Sequence, residues 1–219
     1  MPKYYPMMVD LTGRRCLVVG GGRVAERKVA LLIECEANVE VVSPAITPKL
    51  AALASTGAIR LARRAVRSED LPGAFLIFVA TDDPEINQAV ATEAREAGSL
   101  VNVSDAPESC GFLVPSVVRR GDLTISISTG GGSPALAKRI RQKLDEAIGP
   151  EYEAFLKALR ELRTQAQKAI SDPAERQAVF RRAMDSELFD HAARGDRAAV
   201  KACIGNLLLR QDTGRARRS

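Results

Sequence analysis

The feature that most constrains this chain is a short apolar run that ends on three consecutive glycines. Arg15-Cys16-Leu17-Val18-Val19 is followed at once by Gly20-Gly21-Gly22-Arg23-Val24-Ala25. Continuous hydrophobicity closed by glycine reads as a strand buried on both faces that turns directly into a helix. The six residues from Gly20 to Ala25 fit G-x-G-x-x-A, the spacing that lets a backbone wrap a diphosphate. Gly20 permits the tight turn, Gly22 lets the backbone approach the anion, and Ala25 lets helix and strand pack closely. The helix N-terminus then offers unpaired N–H groups to negative charge. A glycine turn selected for packing alone has the same six letters, so the surrounding pattern has to decide.

That pattern alternates strand and helix. A helix from about Val24 to Glu36 places Val24, Val29, Leu32 and Ile33 on one stripe. Val39–Val42 is a strand ending at Ser43-Pro44, and an Ala- and Leu-rich helix follows from Pro48 to Ser55. Further strands are expected at Ile59–Arg63, Ala74–Ala80 and Ser99–Val103. Asp83-Pro84-Glu85 opens a helix that runs to about Ala97. Such alternation predicts an α/β domain, a Rossmann-type parallel sheet covered on both faces. After Pro115 the pattern changes. Leu123–Ser128 alternates like a half-buried strand, a second glycine loop follows at Thr129-Gly130-Gly131-Gly132, and Ser133-Pro134 launches a helix to about Ile148. From Glu151 strand signals vanish. Phe155, Leu156, Leu159 and Leu162 mark one amphipathic helix, and Asp172-Pro173-Ala174-Glu175 resembles a capping box opening a second. Gly195-Asp196 ends that one and caps a third, to about Arg210. The expected plan is a dinucleotide-binding domain over 1–114, a strand-loop-helix segment over 115–149, an all-α domain over 150–210 and a disordered basic tail over 211–219.

Composition narrows the function classes. No apolar run reaches the roughly 18 residues that would span a bilayer, and Met1–Pro6 lacks the apolar core of an export signal. A cytoplasmic protein with no membrane partner is expected. Cys16, Cys35, Cys110 and Cys203 are scattered without a C-x-x-C pair, so neither a disulfide framework nor a metal cluster is expected. Cys110 falls on a loop and carries no assigned role. The net charge is +5 with aromatics at 4%, too few for a stacking surface, and no nucleic-acid partner is expected. The basic residues read either as solvated surface or as attraction of a small polyanion into a cleft.

Candidate site residues gather at expected strand ends. The acidic residue that would bind a ribose at the end of the second strand is missing; Ser43-Pro44-Ala45 stands there, and Glu40 lies within the strand. Ribose recognition therefore falls to hydroxyl or backbone groups, while Arg23 could meet a 2′-phosphate. Thr81 follows one strand, and Asn102 and Asp105 mark the end of another, where open α/β sheets bind ligands. Asp105 before Ala106-Pro107 equally fits an Asx-turn. His191, the only histidine, sits on a helix near Phe189 and reads as packing or surface.

Four ordered motifs make the pattern specific. Gly20–Lys28, Ala80-Thr81-Asp82-Asp83, Asn102–Pro107 and Ser128–Ala137 together resemble the precorrin-2 dehydrogenase family, which includes the N-terminal module of multifunctional siroheme synthases. The similarity is collinear from about Tyr5 to Leu144, with the helical remainder similar in kind. The resemblance implies a homodimer with NAD as cofactor, a central dimerisation segment at 115–149, and oxidation of precorrin-2 to sirohydrochlorin. It implies that Asp105 is the catalytic carboxylate, and that Gly20, Gly22, Arg23, Val24, Pro44, Ala45 and Thr81 form the cofactor site. Asn102, Thr129, Gly130, Gly131, Ser133, Arg119 and Lys138 are candidate contacts for the polycarboxylate substrate, with Arg120 and Arg139 beside them. Thr129 stands where the family often has a serine, a candidate phosphorylation site. Some members also insert Fe²⁺, so a bifunctional enzyme is an alternative; a non-catalytic dinucleotide sensor is another, from a different class. With about 70 residues left after Gly149, no methyltransferase domain is expected.

Overall fold

The computed structural model describes residues 3–104 and 106–209. Asp105 and the basic tail therefore lie outside the described residues. Within them the chain forms seven strands and eight helices. They divide into two compact units, one built up to Val114 together with Gly130–Gly132, the other from Pro115–Thr129 and the chain from Ser133 onward.

The first unit is a parallel sheet of five strands: β1 (Arg15–Val19), β2 (Asn38–Val42), β3 (Arg60–Ala62), β4 (Leu76–Val79) and β5 (Leu100–Val103). Their order is β3-β2-β1-β4-β5, and every pair is parallel. Three helices cross between strands: α1 (Arg23–Glu34), α2 (Pro48–Ser55) and α3 (Pro84–Glu96). The apolar strand residues point alternately to the two faces. Cys16, Val18, Val39, Val41 and Phe78 meet Ala25, Val29 and Leu32 of α1 on one side. Leu17, Val19, Ile77 and Val79 meet Val90, Ala91 and Ala94 of α3 on the other. Each large side chain buried this way contributes about 1.5–3 kcal/mol relative to exposure. At β2, Glu40 is held between Arg15 at 2.7 Å and Arg60 at 2.9 Å. Helix starts follow the sequence: Thr47 caps α2 through Leu50 N–H, and Asp83 caps α3 through the Glu85 and Ile86 N–H groups.

The second unit contains an antiparallel pair, β6 (Ser116–Arg120) and β7 (Leu123–Ile127). The sequence reading placed only the second of these strands. Ser116-Val117-Val118-Arg119-Arg120 is too short to show a period; Gly121-Asp122, with Gly121 at φ 56°, is the hairpin signal. Helix α4 (Pro134–Ala147) follows, capped by Ser133, whose hydroxyl accepts from Leu136 N–H. Helices α5 (Glu151–Ala169), α6 (Pro173–Met184), α7 (Leu188–Ala193) and α8 (Arg197–Leu209) complete the unit. Their shared core includes Ala158, Leu162, Val179, Leu188 and Ile204. The single helix expected from Pro173 to Gly195 is two. Ser186 breaks it, donating to Ala183 O at 2.8 Å and accepting from Leu188 N–H at 3.2 Å. A serine that bonds the local backbone in this way competes with the helical ladder. No helix among the described residues is long and apolar enough to cross a membrane.

Candidate dinucleotide site

The strand order reverses between β1 and β4, and open sheets of this kind bind ligands at that switch point, beyond the carboxyl ends of the strands. Backbone bonds bring the strand ends level there. Gly20 N–H donates to Val42 O at 3.0 Å, Ala80 N–H to Val19 O at 2.8 Å, and Ser104 N–H to Val79 O at 2.9 Å. Loops leaving β1, β2, β4 and β5 therefore emerge side by side.

The three glycines have separate duties. Gly20 has φ 116°, and a side chain there would collide with the Ala80 carbonyl. Gly21 is wedged against Ala45 O, Ile46 and Ser43 Oγ, with no room for a Cβ. Its carbonyl accepts from Thr47 N–H at 3.0 Å, fastening the loop after β2 to the glycine turn. Gly22 differs, because a Cβ there would meet nothing within 4 Å. No side chain caps α1 at Gly22. Open space beside uncapped helix N–H groups suits an anion held by backbone. A dinucleotide diphosphate fits these residues.

The neighbouring loops are held rigidly. Ser43 is 6% exposed and donates to Ala45 O at 2.7 Å, which leaves Pro44 and Ala45 exposed at the tip of the turn. Glu26 on α1 accepts from Thr47 Oγ1 at 2.8 Å and pairs with Lys49 at 3.5 Å. This draws its carboxylate towards α2. Arg23 is exposed and Val24 half-buried at the start of α1. After β4, Thr81 Oγ1 donates to Asn87 Oδ1 at 2.6 Å, and Asn87 Nδ2 returns a bond to Thr81 O at 3.0 Å.

At β5, Asn102 is 7% exposed, and its Nδ2 donates to Phe112 O at 3.0 Å. The amide is thus directed into the chain. In the second unit, Thr129 Oγ1 accepts from Ser133 N–H at 3.0 Å, so both hydroxyls serve the start of α4. Gly130 and Gly131 have φ 62° and 89° and open space at the Cβ position. Arg120 binds Asp145 through both the carboxylate at 2.9 Å and the carbonyl at 2.7 Å, tying β6 to α4. Arg119, on the opposite face of the hairpin from Arg120, is exposed, as are Lys138 and Arg139 on α4. His191 lies 3.5 Å from Glu187 and 3.0 Å from Arg194 Nη2, a packing and surface position. A depression of about 710 Å³ lies elsewhere, lined by Pro84, Gln88, Thr92 and Glu96 of α3, with Glu85 and Glu93 disfavouring phosphate.

Two residues escaped the sequence reading. Gly21 is the unassigned middle letter of its motif, yet it is the most crowded of the three positions. Asn87 lies six residues beyond Thr81, and only the fold shows that the two lock together. Among the described residues, no cluster of histidine, cysteine and carboxylate ligands forms a metal site.

Comparison with known proteins agrees with this geometry. Residues 7–116 match a family described as putative NAD(P)-binding. Residues 120–147 match the sirohaem biosynthesis protein central region, and 151–208 the sirohaem synthase dimerisation region. The chain is 35% identical over 192 residues to a siroheme synthase of Methylococcus capsulatus, covering 88% of this chain and 40% of that protein. It is 37% identical over 213 residues to siroheme synthase 1 of Aeromonas salmonicida, covering 96% and 45%. The chain thus spans less than half the length of these relatives. A solved structure named "SirC, precorrin-2 dehydrogenase" superposes with a TM-score of 0.78 at 27% identity, covering 93% of this chain and 98% of that one. An NAD(P)-binding sheet, a central segment and a helical dimerisation region follow one another in that order, and the chain belongs to the family of the siroheme synthase N-terminal module.

Proposed function

We propose that this chain is a precorrin-2 dehydrogenase: it oxidises precorrin-2 to sirohydrochlorin, with NAD⁺ reduced to NADH and one proton released. The observation that carries this reading is the glycine turn at the β1–β4 switch point, open at Gly22 and uncapped on α1. The solved precorrin-2 dehydrogenase that shares the fold over 98% of its own length supports the substrate assignment.

The nicotinamide ring, when bound, accepts the hydride equivalent. The protein's share is to hold two partners in register and to manage charge. Amides around Gly22 and the α1 N-terminus hold the diphosphate. Ser43, Pro44 and Ala45 present no carboxylate to the ribose, so its hydroxyls meet backbone and the turn after β2. NAD rather than NADP is the assigned cofactor; Arg23 is the side chain to vary in testing it. The Thr81–Asn87 lock keeps the floor of the site fixed. Asp105 is assigned to accept the proton lost by the macrocycle. Arg119 and Lys138, with Thr129, Gly130, Gly131 and Ser133, are assigned to the polycarboxylate substrate; Asn102, whose amide donates to Phe112 O, is left out of that set. The homodimer contact, expected from the sequence at 115–149, is assigned instead to the helical region, whose residues 151–208 match the dimerisation region.

Purified protein supplied with precorrin-2 and NAD⁺ is expected to form NADH and the sirohydrochlorin spectrum together. Absence of turnover above background, with the nucleotide still bound in calorimetry, would reject the enzyme in favour of a sensor. Replacing NAD⁺ by NADP⁺ tests the cofactor assignment, and Asp105→Ala is expected to abolish turnover while leaving nucleotide affinity intact.

A further inference from the structure

The loop leaving β5 is closed around a thiol. Cys110 Sγ lies 3.3 Å from Val103 O and 3.3 Å from Ala106 O. It accepts from Val103 N–H at 3.3 Å, and Asn102 Nδ2 approaches at 3.5 Å. A thiol has a single proton, so it donates to one carbonyl at a time while the sulfur accepts from the amides. The outgoing limb at Val103–Ala106 and the returning limb at Cys110 are therefore held by one atom.

Further bonds anchor the returning limb. Asn102 Nδ2 reaches Phe112 O at 3.0 Å, and Gly111 N–H donates to Val101 O at 2.8 Å. Phe112 stacks edge-on against Phe78 of β4, with centroids 5.4 Å apart. On the outer side, Ser109 Oγ donates to Gln88 Oε1 of α3 at 2.9 Å. Ser109 N–H adds a backbone bond to Ala106 O at 3.0 Å. Among the described residues, the Cys110 thiol is the side chain that reaches from the returning limb to both Val103 and Ala106.

We propose that Cys110, with Asn102, is a positioning residue for the dehydrogenation: the thiol sets the conformation of the β5 loop that contains position 105. This deepens the dehydrogenase reading and rests on it. Asn102 then acts through the loop rather than by touching substrate. A reacting group displaced by about an ångström loses roughly a hundredfold in rate. A thiol bond is weak and the loop has other anchors, so a smaller loss is expected here, about tenfold.

The test uses the full chain with Cys110→Ala and Cys110→Ser. The alanine variant is expected to lower kcat for precorrin-2 by about tenfold, with KM for NAD⁺ within about twofold of wild type. Serine retains a donor and acceptor on a shorter bond and is expected to restore most of the rate. Amide hydrogen exchange at residues 104–109 is expected to quicken in the alanine variant, while β1 and α1 exchange as in wild type. A merely structural loss would lower the melting temperature without this split between kcat and KM. Wild-type kcat in Cys110→Ala, or unchanged exchange over 104–109, overturns the positioning role. Should wild type itself show no turnover, the dehydrogenase reading falls and takes the catalytic role with it. Exchange data then report separately whether the thiol holds the loop. If the alanine variant does not fold, a serine variant with both wild-type kcat and wild-type exchange supports the clasp, and one with full kcat but quickened exchange refutes it.

Discussion

The carbonyl oxygen of Ala45 occupies the space that a side chain on Gly21 would need. The turn after β2 and the turn after β1 are thus pressed together, and Thr47 N–H bonding to Gly21 O holds them there. Gly21→Ala is expected to force these turns apart, costing about 1–3 kcal/mol of stability, as overpacking does. Gly22→Ala is expected to fold normally, since its Cβ meets open space, but to weaken nucleotide binding by tenfold or more as the methyl displaces the diphosphate. Thermal melting and nucleotide calorimetry on the two variants separate the effects; equal affinity in Gly22→Ala and wild type would place the diphosphate elsewhere.

Asn87 and Thr81 exchange bonds through side chain and backbone, at 2.6 and 3.0 Å. Asn87→Ala leaves the Thr81 carbonyl without the amide that donates to it. A loss of about 1–3 kcal/mol is expected for an unsatisfied half-buried group, with a higher KM for the nucleotide. Asn87→Asp keeps the acceptor for Thr81 Oγ1 but loses the donor, and should fall between the two. Urea melts and initial rates check the order.

Asp70 tests the electrostatics outside the site. Hydrogen bonds from Arg64, at 2.7 Å to each carboxylate oxygen, hold its carboxyl below the usual aspartate range, with a further bond from Arg67 N–H. A lowered value in the folded state means that its contribution is complete above the ordinary aspartate range. It is lost as pH falls below that range and through the lowered value. Asp70→Asn is expected to lower the melting temperature by about 2–4 °C at neutral pH, the difference from wild type narrowing in acid. A pH-independent difference would contradict the ion pair as its source.

Cys16 lies wholly inside β1, and burial pushes its thiol up to about 11. An acid whose value is raised on folding costs stability once the unfolded chain begins to ionise. Stability should therefore decline as pH rises from the ordinary thiol value towards 11. Alkylation of native protein near neutral pH is expected to spare Cys16 and to reach it only after denaturation, as mass spectrometry of the digested protein will show.

Much of the fold is legible along the chain because its signals are local. Cys16-Leu17-Val18-Val19 and Leu76–Val79 are apolar runs of the length that a doubly covered strand needs, and Asp83-Pro84 and Ser133-Pro134 announce helix starts by capping chemistry alone. The two departures have the same origin. Ser116–Arg120 becomes β6 only by pairing with β7, and the helix expected after Pro173 is cut by the bonds that Ser186 makes to neighbouring backbone. Neither event depends on periodicity.

The sequence by itself determined the order of strands and helices in the first unit, the two glycine turns, and the candidate residues at strand ends, since each follows from hydrophobic spacing, capping or the φ freedom of glycine. Only the tertiary structure decided which groups meet. Strands β1 and β4 are separated by 56 residues from Val19 to Leu76 yet lie side by side, so the contacts of Gly20 with Ala80 and of Gly21 with Ala45 have no local signature. Cys110 has none either: its thiol gains a purpose only when the chain returns past Val103 and Asn102 after β5. Close approach in space is set by the summed packing of the sheet, and no window of sequence contains that sum.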